Sequence, residues 1–220
     1  MNEILFFLSM IAVFSAVVIA ERIFGKSGLY AWAAFAPIMA NILTAKQIAL
    51  FGLDVTMGTV LFASLFLCTD IMSEKHGERE AKKAVWIATA FVGVFIVTAQ
   101  VALLFLPNEF DFASEAMQSL FGTSLRISIV SLILFLLSNL LDVWLYNHLK
   151  RKSEKKMWLR NNVATIISNC AENFVFVFLA FVGTMSVTDC LMIALGTSVI
   201  EIVASVCDTP FLYIAKHKMK

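Results

Sequence analysis

Proline and charge are both scarce in this chain, with 3 Pro in 220 residues and Asp, Glu, Lys and Arg together at 15%, against about 25% charged residues in a soluble domain. So little charge excludes a water-soluble globular fold, and so little proline leaves long helices uninterrupted. There is no glycine-rich phosphate loop and no hydrophilic stretch long enough for a nucleotide-binding domain, which excludes ATP hydrolysis by this chain. Cys68, Cys170, Cys190 and Cys207 stand singly in or beside apolar runs. Without Cys-x-x-Cys spacing or histidine partners they predict neither a disulfide framework nor a zinc site. His76, His148 and His217 fall at helix ends, and no metal or cofactor is expected.

What is there is apolar. Hydrophobic residues make up 60% of the chain, 20 of them Phe, and the mean hydropathy is +0.85. Lipid requires backbone groups to be paired within a helix or a closed barrel, and alternating strand patterns are absent. The expected fold class is therefore an all-α integral membrane protein. Seven apolar runs near the length of a membrane crossing fall at 4–20, 29–45, 55–72, 84–106, 125–148, 163–184 and 190–215. The first run lacks a basic n-region or cleavage site and is expected to be a retained helix. Its Ala12, Ala16 and Ala20 form a small-residue stripe suited to close helix contact.

The net charge of +1 hides a segregation. Alternating the connections between two sides gathers Arg22, Lys26, Lys75, Arg79, Lys82, Lys83, Lys150, Arg151, Lys152, Lys155, Lys156, Arg160, Lys216, Lys218 and Lys220 on one side. Lys46 and Arg126 remain on the other. The positive-inside rule makes the crowded side cytoplasmic, with the N-terminus outside and the C-terminus inside. The outer connection at 108–124 carries Glu109, Asp111 and Glu115 and is expected to be a polar loop, a short surface helix or a lid.

Asp70, Asp142, Glu172, Glu201 and Asp208 lie within the spans, where each charge costs about 2.5–3.5 kcal/mol at a helix centre. No Lys or Arg within those spans pairs them. Asp70 and Asp208 are nearer helix ends and so weaker candidates, whereas Glu172 and Glu201 fall mid-span. Helical spacing groups Thr165, Asn169, Glu172 and Asn173 on the sixth span. It also groups Ser198, Glu201, Ser205 and Asp208 on the seventh, with Ser131, Ser138, Asn139 and Asp142 on the fifth. Three such stripes imply a shared hydrated cavity. Asp70 and Glu74, one turn apart, read as a gate or anchoring pair or as a solvated helix terminus, and Asn41 and Lys46 at the outer end of the second span are similarly placed. Carboxylates and amides without cations suit a ligand rich in N–H donors. Phe174, Phe176, Phe178, Trp144 and Tyr146 are available to stack on a planar ring.

The segments Ala40-Asn41-Ile42-Leu43-Thr44-Ala45-Lys46, Thr69-Asp70-Ile71-Met72-Ser73-Glu74-Lys75-His76-Gly77, Ser138-Asn139-Leu140-Leu141-Asp142-Val143-Trp144, Trp158-Leu159-Arg160-Asn161-Asn162 and Asp208-Thr209-Pro210-Phe211-Leu212-Tyr213 closely resemble the queuosine precursor transporters, a vitamin-uptake-type family. The resemblance covers the chain after its first helix. It implies a single transmembrane domain, with a six-helix core at 29–216 and an extra N-terminal helix at 1–28. It further implies import of a 7-deazaguanine (7-cyano- or 7-aminomethyl-7-deazaguanine, queuine or queuosine) across the bacterial cytoplasmic membrane by secondary or facilitated transport. Asn139, Asp142, Asn169, Glu172, Asn173, Glu201 and Asp208 are then the expected substrate-binding set, with Glu172 on the 2-amino-pyrimidinone edge, Asn169 and Asn139 on carbonyl or ring nitrogen, and Asp142 on an aminomethyl group. Asn41, Lys46, Asp70, Glu74 and Arg160 are the expected gating or anchoring set.

The chain departs from the family pattern. It reads Ser168-Asn169-Cys170-Ala171-Glu172-Asn173 where members show Ser-Gln-x-x-Asp-Thr, the fifth-span Gln is Asn139, and a seventh-span Lys is Glu201. A proton shared with Glu172 or a more cationic substrate would accommodate Glu201. The alternative reading is the substrate-binding subunit of an energy-coupling-factor transporter. An enzyme is not expected, since no nucleophile or metal set lies at membrane depth. Expected partners are the small-molecule substrate and the bilayer, with no nucleic acid; a homodimer and an energy-coupling module are the protein partners left open.

Overall fold

In a computed structural model that describes residues 1–122, 125–152, 155–181 and 186–217, several of the charged segments between the apolar runs, such as those at 74–83 and 150–152, act as helix ends and not as long loops. The helices are α1 (Asn2–Phe24), α2 (Lys26–Leu43), α3 (Thr59–Lys75), α4 (Glu78–Ala102), α5 (Ser114–Phe121), α6 (Leu125–Lys152), α7 (Met157–Phe181) and α8 (Val187–Lys216). Several run past their apolar stretch into charge of the favourable sign. α4 opens on Glu78 and Glu80, and α6 closes on Lys150, Arg151 and Lys152, as the helix dipole favours. Ser124, Thr184, Lys218, Lys220 and the side chain of Arg126 lie outside the described residues.

The expectation of a purely helical chain needs one correction. Between α2 and α3 the chain forms a two-stranded antiparallel hairpin, β1 (Gln47–Leu50) with β2 (Leu53–Thr56), so the expected run at 55–72 begins as strand and becomes helix only at Thr59. The turn is Phe51-Gly52, both at positive φ (52° and 81°), the geometry of a two-residue turn whose twist matches its strands.

Five helices, α1, α4, α6, α7 and α8, are both long and apolar enough to cross a membrane. α2 and α3 are not among them, and α3, of 17 residues, is the central helix of the bundle. α3 packs against α1, α2, α4, α6 and α8, and every residue from Thr59 to Ser73 except Phe62 is buried. A central helix that never meets lipid need not be apolar on every side, which is why Ser64, Thr69, Asp70 and Ser73 are tolerated there. The lipid-type surface is supplied by outer faces such as Phe91, Val94 and Val97 of α4.

α1 buries Phe6, Met10, Phe14, Val17, Val18 and Glu21, so its contact face is not the alanine stripe. Ala12 is exposed, and of that stripe Ala20 makes the tight approach, to Gly28 of α2. A Cβ on Gly28 would collide with the Ala20 carbonyl oxygen. Gly28→Ala is expected to cost about 1–3 kcal/mol, the price of overpacking, read as a lower thermal unfolding midpoint of the detergent-solubilised protein; an unchanged midpoint would show that α1 yields freely.

Ion pairs gather the basic segments at one end of the bundle, here called the basic end. Lys75 pairs with Glu21, Lys26 with Glu80 and Arg151 with Glu78, while Arg22 and Lys75 donate to the Ile214 and Ala215 carbonyls at the close of α8. The hairpin and α5 occupy the other end. There the Ser114 hydroxyl, together with the Ala113 and Ser114 N–H groups, anchors the Asp111 carboxylate at the start of α5 and holds its pKa below the usual value.

Candidate functional site

Polar residues inside the bundle lie on three levels between the hairpin end and the basic end. The upper level is a cavity of about 250 Å³ bounded by α2, β2, α3, α6, α7 and α8. Asn139, Asn169, Glu172, Asn173 and Glu201 line it, as do Asn41, Thr44, Thr56, Thr59, Ser131 and Thr197. Five of the seven expected substrate-binding residues thus share one wall. The three helical stripes converge because α7 packs against both α6 and α8.

Hydrogen bonds pre-orient that wall. Ser138 Oγ donates to Glu172 Oε2, and Asn173 Nδ2 donates to Glu201 Oε2 at 2.6 Å and to Ser198 Oγ at 3.2 Å. Asn139 spends its Nδ2 on the Phe135 carbonyl at 2.8 Å, which leaves its Oδ1 buried and unpartnered, like that of Asn169. The wall therefore offers acceptors, and a ligand that satisfies it must bring donors. Phe62, Phe66, Phe135 and Phe176 close the sides, with the Phe62 and Phe135 rings 6.5 Å apart.

Of the aromatics expected to stack on a ligand, only Phe176 lines this cavity. Trp144 faces outward, 47% exposed and stacked on His148. Tyr146 lies beside Arg160 at the basic end, and Phe174 and Phe178 pack into the α7–α8 interface. Phe62, Phe66 and Phe135 went unnoticed in the sequence because a single Phe among apolar neighbours carries no positional signal. Toward the hairpin end a second cavity of about 290 Å³ shares Asn41, Thr44, Ser131 and Phe176 with the first. It continues between α4 and the end of α5, where Gln100 Nε2 donates to the Phe121 carbonyl. Asn41 thus stands between the two cavities, while Lys46 is exposed and lines neither.

The middle level holds Asp70, Asp142 and Asp208, none of which lines the cavity. Asp142 lies three residues beyond Asn139, about 4.5 Å along α6. Asp142 Oδ1 accepts from Thr165 Oγ1 at 3.1 Å and Ser168 Oγ at 3.4 Å, and Asp208 Oδ1 accepts from Asn161 Nδ2 at 2.7 Å. The ordering expected from sequence depth is reversed here: Asp70 and Asp208 are sealed at 0% and 1% exposure, while Glu172 and Glu201 border the cavity.

On the lowest level, at the basic end, Glu74 collects four donors. Arg160 Nη2 approaches at 2.6 Å, Lys216 Nζ at 2.8 Å, Tyr146 Oη at 3.1 Å and Lys150 Nζ at 3.3 Å. One carboxylate thereby ties α3 to α6, α7 and α8. Arg160 is itself 2% exposed, its guanidinium 5.3 Å from the Tyr146 ring centre. Of the expected gating residues, Glu74 and Arg160 form a direct pair.

Against known proteins, a family model described as "Putative vitamin uptake transporter" matches residues 56–215. The chain belongs to this family. The matched region contains every cavity residue named above except Asn41 and Thr44. The chain is 35% identical over 205 residues to a Bacillus subtilis (strain 168) protein named "Probable queuosine precursor transporter", covering 92% of this chain and 90% of that relative. It is 24% identical over 143 residues to the Escherichia coli (strain K12) "Queuosine precursor transporter" and 30% identical over 132 residues to a Haemophilus influenzae "Probable queuosine precursor transporter". Those matches cover 64% and 60% of this chain, and 62% and 54% of the relatives. No solved structure matches significantly. Family membership and five crossing-length helices make this a multi-pass membrane protein of a transporter family.

Proposed function

We propose that the chain imports a 7-deazaguanine queuosine precursor or salvage product through the upper cavity. The observation that carries this reading is the acceptor-rich wall of Glu172, Glu201, Asn139 and Asn169 between phenylalanine sides, which complements a flat heterocycle with adjacent N–H donors. The names of the relatives point to the same ligand class. In this reading Glu172 takes the 2-amino-pyrimidinone edge, with Asn139 and Asn169 accepting from the remaining donors. About 250 Å³ suits a bicyclic base, and the adjoining cavity gives room for a substituent.

All seven long helices cross the membrane in this reading, with α3 shielded at the centre, and the basic end faces the cytoplasm by the positive-inside rule. The path toward α5 is then the outer entrance, and the Glu74 cluster closes the inner mouth. The chain carries its substrate without chemical change, in the bacterial cytoplasmic membrane. The test is uptake of labelled queuine, queuosine and 7-aminomethyl-7-deazaguanine, with guanine as comparison, by a host lacking its own carrier and any energy-coupling module. Saturable uptake of a deazaguanine is expected, and none in that host would overturn import by this chain alone.

Glu201 sets the preference within the class. Glu201→Lys replaces an acid with a cation beside Asn173 and is expected to lower the ratio of aminomethyl to cyano substrate transported by tenfold or more and to alter the pH profile. An unchanged ranking and profile would show that Glu201 does not face the substrate.

A further inference from the structure

We propose that Asp70, Asp142 and Asp208 form a buried site for a monovalent cation, a proton or Na⁺, one to two helical turns below the cavity toward the basic end. The site lies between α3, α6, α7 and α8. Thr165 and Ser168 supply hydroxyls to one oxygen of Asp142, and the Asn161 amide supplies a donor to one oxygen of Asp208. These donors reach one oxygen of each of the two carboxylates, and Asn161 and Ser168 are further engaged by Thr209 and by the Ala164 carbonyl.

Among Asp70, Asp142, Asp208 and Asn161, the unmatched atoms are all acceptors. Both oxygens of Asp70 are buried without a hydrogen-bond partner, as are Asp142 Oδ2 and Asp208 Oδ2. A fifth oxygen comes from outside the acids. Asn161 is fully buried, and Oδ1 of the same amide that binds Asp208 is also unpartnered. Five sealed oxygens need donors or a positive ion, and a small hard cation takes an oxygen shell of that kind.

The charges around Asp70 leave the site in deficit. Asp142 on α6, Asp208 on α8 and Glu74 on its own helix are the acids in electrostatic reach, and Arg160 on α7 is the cation; Tyr146 of α6 stands beside them. Arg160 is shared with Glu74, which also holds Lys150 and Lys216, and even counted in full it offsets one of the three aspartates. At the basic end, Glu21 of α1 and Glu78 and Glu80 of α4 each have a lysine of their own. Three neighbouring carboxylates sealed from water cannot all remain charged without an added positive charge. On the transport reading above, a cation held there by helices that also line the cavity is placed to drive uptake.

The test uses purified full-length protein in lipid nanodiscs, without any deazaguanine, so it reads out even where that ligand assignment fails. Occupancy by Na⁺ predicts a thermal unfolding midpoint several degrees higher in NaCl than in choline chloride, a difference lost in Asp70→Asn. Occupancy by a proton predicts a protonated-carboxyl infrared band at pH 7 that survives Glu172→Gln with Glu201→Gln and disappears in Asp70→Asn. If Asp70→Asn does not fold, Asp142→Asn and Asp208→Asn serve in its place. Wild-type protein showing neither signal overturns the site. So does a band that vanishes with the two glutamates instead, since the proton then resides in the cavity.

Discussion

Glu172→Gln is expected to raise the KM for deazaguanine uptake about ten- to hundredfold while leaving the unfolding temperature nearly unchanged. A hydrogen bond to a charged group contributes about 1.5–3 kcal/mol, and each 1.4 kcal/mol is tenfold in affinity. Gln keeps the length of Glu and retains an oxygen to accept from Ser138, so the packing between α6 and α7 survives. What changes is the atom offered to the ligand, because an amide presents one acceptor where the carboxylate presents two. Uptake kinetics and thermal unfolding measured on the same preparation separate recognition from folding. Normal KM with normal stability would remove Glu172 from the substrate edge, and a collapse of stability would make its role structural.

Ser138→Ala supplies the internal comparison. It deletes the hydroxyl that aims Glu172 and leaves the carboxylate itself. A smaller loss than that of Glu172→Gln is the pattern of a group positioning a binding residue.

The cavity was legible in the sequence to the extent that helix periodicity governs it. Asn169, Glu172 and Asn173 on α7 and Glu201 on α8 project from single faces, and α7 packs against both α6 and α8. Periodicity does not fix depth. Asp70 and Asp208 read as near-terminal residues, yet α3 is enclosed by five other helices and α8 runs eight residues past Asp208 to Lys216. Burial there comes from neighbours distant in sequence. The same limit concealed Phe62, Phe66 and Phe135, whose distinction is to border a cavity. The hairpin escaped notice for a local reason. Its strands are four residues each, below the length at which alternation stands out from a generally apolar background, and its turn uses Phe at a positive φ where Asn or Gly is usual.

Glu74→Ala is expected to be the most destabilising single change at the basic end, by about 3–5 kcal/mol, the cost of removing one partner of a buried ion pair. The group most affected is Arg160, 2% exposed and 2.6 Å from the lost carboxylate. Arg160→Ala is the milder partner, since Glu74 keeps Lys216 at 2.8 Å and Lys150 at 3.3 Å. Lys216→Ala is milder still, below about 1 kcal/mol, because its side chain is 46% exposed and water screens the pair. The order Glu74 over Arg160 over Lys216 distinguishes a carboxylate that gathers four helices from a collection of independent surface pairs, which would give three small and similar losses. Thermal unfolding measures the order. Hydrogen exchange across 157–165 measures its consequence for the gate, because releasing the start of α7 from α3 must expose those amides sooner than the rest of α7 if this cluster holds the inner mouth shut. Uniform exchange along α7 in Glu74→Ala would mean that the pairs stabilise the bundle as a whole and that closure of the inner mouth depends on other contacts.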